Sequence, residues 1–179
     1  MSQSFKNQFL IALQALKGDY FEASISLILD HNEDGTFGLI LNRPLENKIE
    51  ELFTNLTYPV DCPVFNGGPV DQSRVFFLHP SGSNFDGTID IGSGIALTTS
   101  PDIITAMEDG TAPKNLIAFL GYSGWGAAQL EYELADNAWL VTPSINEIVF
   151  STPFDQKASK AALSLGIDLN LMPTKAGHD

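Results

Sequence analysis

The residues best suited to chemistry in this chain are few, and glycines surround most of them. Arg43, within Asn42-Arg43-Pro44, is one of only two arginines; the other is Arg74. A scarce guanidinium in an acidic chain is suited to gripping a carboxylate or phosphate with two parallel hydrogen bonds. Its competing role is an internal ion pair that sets the shape of a loop. A second locus is Gly121-Tyr-Ser-Gly-Trp-Gly126, which follows the apolar run Leu116–Leu120 and precedes a helix-like stretch. That order reads as strand, Gly-rich turn, helix. Free N–H groups and partial positive charge at such a helix start favour an anion. The glycine spacing departs from G-x-G-x-x-G, and no G-K-[ST] follows, so neither nucleotide fingerprint is met.

Other groups carry weaker signals. Glu131 lies off the Leu130/Leu134 face of the same helix, free to act as a base or simply to be solvated. Ser123 stands where a nucleophile would, but a nucleophile elbow needs glycine at the position of Trp125. No histidine lies within the segment to activate it. Trp125 and Trp139 read as packing rings or as a partner-facing patch. Asp30-His-Asn-Glu-Asp-Gly35 copies the first half of a calcium loop, yet Leu41 occupies the twelfth position, where a bidentate Glu belongs. The three histidines, at 31, 79 and 178, are too scattered for a zinc site. No metal and no cofactor is expected. Cys62 is the single cysteine, which excludes an internal disulfide and fits a reducing compartment.

The elements that must position these groups follow from periodicity. Residues 8–13 form an apolar strand. Ser24–Asp30 and Thr36–Asn42 flank a turn-rich Asn32-Glu-Asp-Gly35 and read as a hairpin. On that hairpin His31 and Arg43 would lie at opposite ends, roughly 20 Å apart at ~3.3 Å per residue. Lys48–Leu56 has helical spacing, Pro59–Asp71 reads as loop, and Arg74–His79 as strand. Ile95–Thr99 is a strand, Pro101 opens a helix that Gly110 ends, and 116–120 is a strand. A helix over about 127–135, a strand at 139–141 and a last helix over about 155–165 complete the chain. An antiparallel first half with strand–helix–strand crossovers in the second predicts a mixed α/β or α+β fold. The 179 residues fit one domain spanning 1–179.

Charge narrows the function. Nine Lys and Arg against 22 Asp and Glu give a net charge of −13. No Lys, Arg or His lies between Lys114 and Lys157, so the most distinctive motif sits in an acidic stretch. Duplex binding relies on Lys and Arg neutralising phosphates, so direct nucleic-acid binding is disfavoured. The N-terminus lacks signal-peptide character and the apolar runs are strand-sized, so a cytoplasmic protein with no membrane association is expected.

Taken together, His31-Asn32, Gly35, Gly38-Leu-Ile-Leu-Asn-Arg-Pro44, Gly67-Gly-Pro-Val70, Leu78-His79, Gly121-Tyr-Ser-Gly-Trp-Gly126, Gln129-Leu-Glu131, Asn137, Trp139-Leu140 and the closing Ala176-Gly-His178 resemble the AlgH-like (YqgE-like) family of bacterial proteins. Gln14, Ser123 and Ala128 depart from the family's usual Pro, Ala and Gly. The resemblance implies a bifurcated, mostly antiparallel sheet forming a partial barrel. It also implies a transcriptional-regulator label drawn from genetics, with no established biochemical activity. The leading expectation is a non-enzymatic module binding a small anionic ligand or a protein. Its site would combine Gly121, Gly124, Trp125, Gly126 and Glu131 with a second wall of Asn42, Arg43, Gly67 and Gly68. The alternatives are an enzyme acting on a phosphorylated or nucleotide-like metabolite and a direct DNA-binding regulator.

Overall fold

The computed structural model describes residues 3–172. Among them, nine strands are β1 (Gln8–Ala12), β2 (Ile25–Asn32), β3 (Gly35–Ile40), β4 (Val64–Asn66), β5 (Val70–Pro80), β6 (Ile89–Gly92), β7 (Ile95–Thr98), β8 (Ile117–Trp125) and β9 (Trp139–Pro143). The helices are α1 (Ile49–Leu52), α2 (Asp102–Asp109), α3 (Gln129–Ala135), α4 (Asn146–Phe150) and α5 (Lys157–Leu163). The strands run in the order β6-β7-β5-β8-β3-β2-β1-β9, with β4 added beside β8. Among the described residues only β4–β8 is a parallel ladder. The connections β7–α2–β8 and β8–α3–β9 do join strands of like direction, but antiparallel strands fill the gaps between them.

β8 is where the sheet divides. Its first half, Ile117–Leu120, pairs with β4 and β5. Its second half, Ser123–Trp125, pairs with β3. The Gly-rich segment expected to be a turn is therefore strand, bent rather than ended. Gly121 has φ 73°, a left-handed conformation that lets the ladder change partners without breaking. The turn falls later, at Gly126–Ala128, where Ala128 takes φ 62°, a left-handed conformation that favours glycine.

The two ends of the strand order meet through side chains. Asn7, just before β1, donates from Nδ2 to Ser93 Oγ in the β6–β7 turn at 3.1 Å. Ser144, just after β9, donates to Asn7 Oδ1 at 2.6 Å. Asn146 Nδ2 donates to Gly94 O at 2.9 Å. The sheet thus curls into a half-barrel that a polar latch closes.

Three apolar clusters follow from the alternation of side chains along the strands. Inside the curl lie Phe9, Ile11, Leu27, Leu39, Phe76, Leu78 and Phe119, capped by Ile148 and Val149 of α4 and Ala161 and Ala162 of α5. On the outer face of one half, Phe77, Ala118 and Val64 pack under Ile103, Ile104 and Met107 of α2. On the outer face of the other half, Leu10, Ile28, Trp125 and Trp139 pack under Leu130 of α3. Each fully buried Leu, Ile or Phe contributes roughly 1.5–3 kcal/mol. Lys157 joins α5 to α4, donating from Nζ to Ile148 O at 2.6 Å and Val149 O at 2.7 Å. Burial lowers its ammonium pKa to about 8.

The remaining differences from expectation have local causes. Pro59–Asp71 contains β4, a three-residue strand whose register comes from β8 rather than from any alternation of its own. The helix expected over Lys48–Leu56 is a single turn, Ile49–Leu52, before Phe53 turns extended. β6 and α4 were not expected; each is four or five residues long and carries little periodicity. The His178 end of the family resemblance lies outside the described residues.

Candidate functional site

The expected site residues form two clusters, one at each end of the second half of β8. At the Gly121 end, the chain segment Asn66-Gly67-Gly68 crosses β8 in direct backbone contact. Gly67 N–H donates to Leu120 O at 2.9 Å, and Ile40 N–H donates to Gly67 O at 2.9 Å. Asn66 Oδ1 accepts from Gly68 N–H at 3.0 Å. A Cβ on Gly67 would lie 2.4 Å from Gly121 O, and one on Gly68 would lie 2.2 Å from the Tyr122 carbonyl. These glycines leave space for another backbone and none for a ligand between them. Ser123 is buried here too, donating to Gly67 O at 3.1 Å.

Asn42 and Arg43 belong to the same end. Asn42 Oδ1 accepts from Ile25 N–H at 3.1 Å, and its Nδ2 donates to Ala23 O at 2.9 Å. Arg43 Nη2 donates to Tyr20 O and, at 3.3 Å, to Glu22 O. The guanidinium also lies 4.8 Å from the Tyr20 ring centre, and Asn66 Nδ2 donates to Tyr20 Oη at 3.3 Å. Asn42, Arg43 and Asn66 therefore hold the 20–25 segment against the sheet. Arg74 stands apart on β5, exposed, with its guanidinium 5.0 Å from the Phe76 ring centre.

The other end gathers around α3. Glu131 meets His31 from the β2–β3 hairpin, with Nε2 and Oε1 2.9 Å apart. Phe5 N–H donates to His31 Nδ1 at 3.0 Å, so Nε2 carries the proton and donates to the carboxylate. This is the one ion-pair geometry among the described residues, and it borders a cleft of about 260 Å3 with Gln3, Ser4, Asn32 and Glu33. The hairpin turn is internally satisfied: Asn32 Oδ1 accepts from Asp34 N–H, and Asp30 Oδ1 from His31 N–H.

Glu133, one helical step away, is a polar hub. Its Oε1 accepts the indole N–H of Trp125 at 3.0 Å and of Trp139 at 2.9 Å. Its Oε2 accepts from Gln129 Nε2 at 2.9 Å, while Gln129 Oε1 accepts from Gly126 N–H at 2.9 Å. The N–H expected to face an anion at the start of α3 is thus already engaged. Gly124 is open, its nearest atom to an added Cβ being Tyr122 Cε2 at 3.6 Å.

Three groups escaped sequence reasoning. The His31–Glu131 pair spans 100 positions, and no local pattern could show it. Glu133 was readable as a polar helix residue but not as the partner of two tryptophans. His79, fully buried, accepts at Nε2 from Thr98 Oγ1 at 2.7 Å while Nδ1–H donates to Pro80 O at 3.0 Å. Burial lowers its pKa. Cys62 is buried as well, and desolvation pushes its thiol up to about 12, leaving no thiolate at neutral pH.

The 13–24 segment, which Asn42 and Arg43 hold in place, walls a cavity of about 510 Å3. Leu13, Ala15 and Ala23 line it from one side and Leu169 and Met172 from the other, with Lys17 and Glu22 as its charged groups.

A curled α+β half-barrel with this strand order defines the structural class. The AlgH-like family model matches residues 9–170, and the chain belongs to that family. It is 41% identical over 182 residues to a UPF0301 protein of Thioalkalivibrio sulfidiphilus, covering 99% of this chain and 98% of that one. It is 40% identical over 180 residues to UPF0301 protein AlgH of Pseudomonas aeruginosa, covering 97% and 95%. The solution structure of AlgH from Pseudomonas aeruginosa superposes with a TM-score of 0.80 at 38% identity over the whole of both chains. A Corynebacterium diphtheriae protein shares the fold with a TM-score of 0.72 at 18% identity, covering 89% of this chain and 87% of that one. Among the described residues no helix is long and apolar enough to cross a membrane.

Proposed function

We propose that this chain is a non-catalytic binding module of the cytoplasm that takes a small amphipathic ligand into the cavity behind the 13–24 segment. One observation carries the reading: the side chains best equipped for catalysis already have intramolecular partners. Ser123, His31, His79, Asn42 and Arg43 each spend their reactive or recognising atoms on the fold. The cavity, by contrast, has apolar walls and a size within the usual range of ligand sites. An apolar body would bury against Leu13, Ala23 and Leu169, and Lys17 supplies a cation for an acidic head. Regulation then works through a ligand-dependent protein contact. The net charge of −13 weighs against direct DNA contact. The separation of Arg43 from Glu131 across the two clusters weighs against a phosphometabolite enzyme built on both.

Thermal shift with medium-chain carboxylates, nucleotides and phosphorylated metabolites tests this. A carboxylate at a hundred times its Kd should stabilise the protein by about 2.7 kcal/mol, and Ala15→Trp should abolish the response. A response to phosphates alone, lost in Arg43→Ala and kept in Ala15→Trp, would overturn the reading in favour of an anion site at Arg43.

A further inference from the structure

His31 is the point where the β2–β3 hairpin, α3 and the N-terminal stretch meet. Its side chain is 6% exposed and borders the cleft of about 260 Å3. The two ring nitrogens serve different partners. Nε2 faces Glu131 Oε1 on α3 at 2.9 Å, and Nδ1 accepts the Phe5 N–H at 3.0 Å. A main-chain amide can only donate, so Nδ1 must be without a hydrogen for that bond to exist.

The Phe5 bond has few companions. Among the described residues, main-chain pairing of the N-terminal stretch with the sheet begins at Asn7, whose N–H donates to Ile28 O. Ahead of it, Lys6 N–H donates to Ser4 Oγ, and Ser4 O accepts from Gln8 Nε2 at 3.5 Å, both within the same stretch. Two contacts therefore tie residues 3–6 to other elements. One is the Phe5–His31 hydrogen bond. The other is the half-buried Phe5 ring, 5.3 Å from the imidazole centre and packed against the cluster of Leu10, Ile28 and Trp125.

We infer that residues 3–6 are a strap that neutral His31 holds closed and protonated His31 releases. A proton taken up at Nδ1 sets an N–H against the Phe5 N–H, two donors with no acceptor between them. Nε2 keeps its hydrogen and its carboxylate in both forms, so the hairpin stays on α3 and the conflict falls on Phe5. The charged groups around the ring are Glu131 of α3, Asp30, Glu33 and Asp34 of the hairpin, and Lys6 of the strap. β3 brings only uncharged Thr36 opposite His31. The carboxylates among them favour the charged ring, while the Phe5 amide opposes it. Because the closed strap excludes the proton, the open strap binds it more readily, and falling pH shifts the population toward the open form. Opening widens the cleft at Gln3 and Ser4 and uncovers the apolar seat of Phe5. The strap lies outside the 13–24 cavity, so this inference is independent of any ligand there.

NMR of the full chain between pH 7.5 and 5.0 tests this. It reads the ring-nitrogen shifts of His31 and the exchange of the Phe5 amide, corrected for the intrinsic effect of pH. The expected result at pH 7.5 is hydrogen on Nε2 alone, with the Phe5 amide protected. As Nδ1 takes up its proton, Phe5 protection should fall at least about tenfold, while the Phe9 and Leu10 amides of β1 keep theirs. His31→Asn sets a side-chain oxygen near the place of Nδ1 that binds no proton in this range, and should keep Phe5 protected throughout. His31→Gln moves the acceptor toward the place of Nε2 and should leave Phe5 unprotected at either pH. A protonated His31 ring with the Phe5 amide still protected would overturn the proposal. So would a ring that stays neutral at pH 5.0, or a release in acid that persists in His31→Asn.

Discussion

The two ends of β8's second half use similar residue types for opposite purposes. At Gly121 the chain crosses itself backbone on backbone, and the polar side chains nearby, Asn42, Arg43 and Asn66, hold main-chain carbonyls and amides. At Trp125 the contacts are between side chains: Glu133 with two indoles and Glu131 with His31. The first end has no slack, because a glycine there is defined by the atoms of a neighbouring strand. The second has slack, because long side chains can adjust. A glycine-rich motif beside an arginine, read as a ligand cradle, here describes a fold crossing whose product is a firmly held loop and the cavity behind it.

The sharpest way to break that contrast is Gly68→Ala against Gly124→Ala. The first places a methyl 2.2 Å from the Tyr122 carbonyl at φ 155° and should cost about 3 kcal/mol or more in urea unfolding, or prevent folding. The second meets nothing closer than 3.6 Å and should stay within about 0.5 kcal/mol of wild type. Equal losses at both positions would erase the distinction.

Within the side-chain end, Glu133→Ala should exceed Glu131→Ala. Loss of Glu133 orphans two indole N–H groups, at about 1–3 kcal/mol, with a visible change in tryptophan emission. Glu131 is about half exposed, so its pair with His31 should contribute under about 1 kcal/mol.

The smallest effect concerns pH and a site outside both ends. The folded pKa of His79 lies below 6.5 because burial disfavours the charged ring. A depressed folded value means that the unfolded chain binds the proton more readily. The stability His79 supplies is thus fully present above pH 6.5 and falls as pH drops from there toward the folded value. Urea unfolding between pH 8 and 5 should show this slope, reduced in His79→Gln.

Much of the fold was legible where an element carries its own pattern. The hairpin around Glu33-Asp34 was readable from turn residues between β-rich arms, α2 from Pro101 and Gly110, and β7 and β9 from short apolar runs. β4 and β6 were not, because three or four residues show no periodicity and take their register from a neighbour. The segment Gly121–Trp125 read as a turn for a related reason. Two glycines in five residues normally interrupt a strand, and the pairing of Tyr122 with Val70 and Gly124 with Phe37 keeps this one extended. Glu131 could be singled out by its place on the helix, but its partner could not.

What the sequence alone determined is the family, the alternation of elements and the acidic net charge. These depend on local pattern, composition or the joint order of short motifs, all of which are one-dimensional. Tertiary structure alone decided that Gly67 and Gly68 meet Gly121, that His31 reaches Glu131 and that Glu133 bridges two tryptophans. Each is a contact between distant positions, where the burial of one partner sets what the other can do, and no spacing along a chain encodes that.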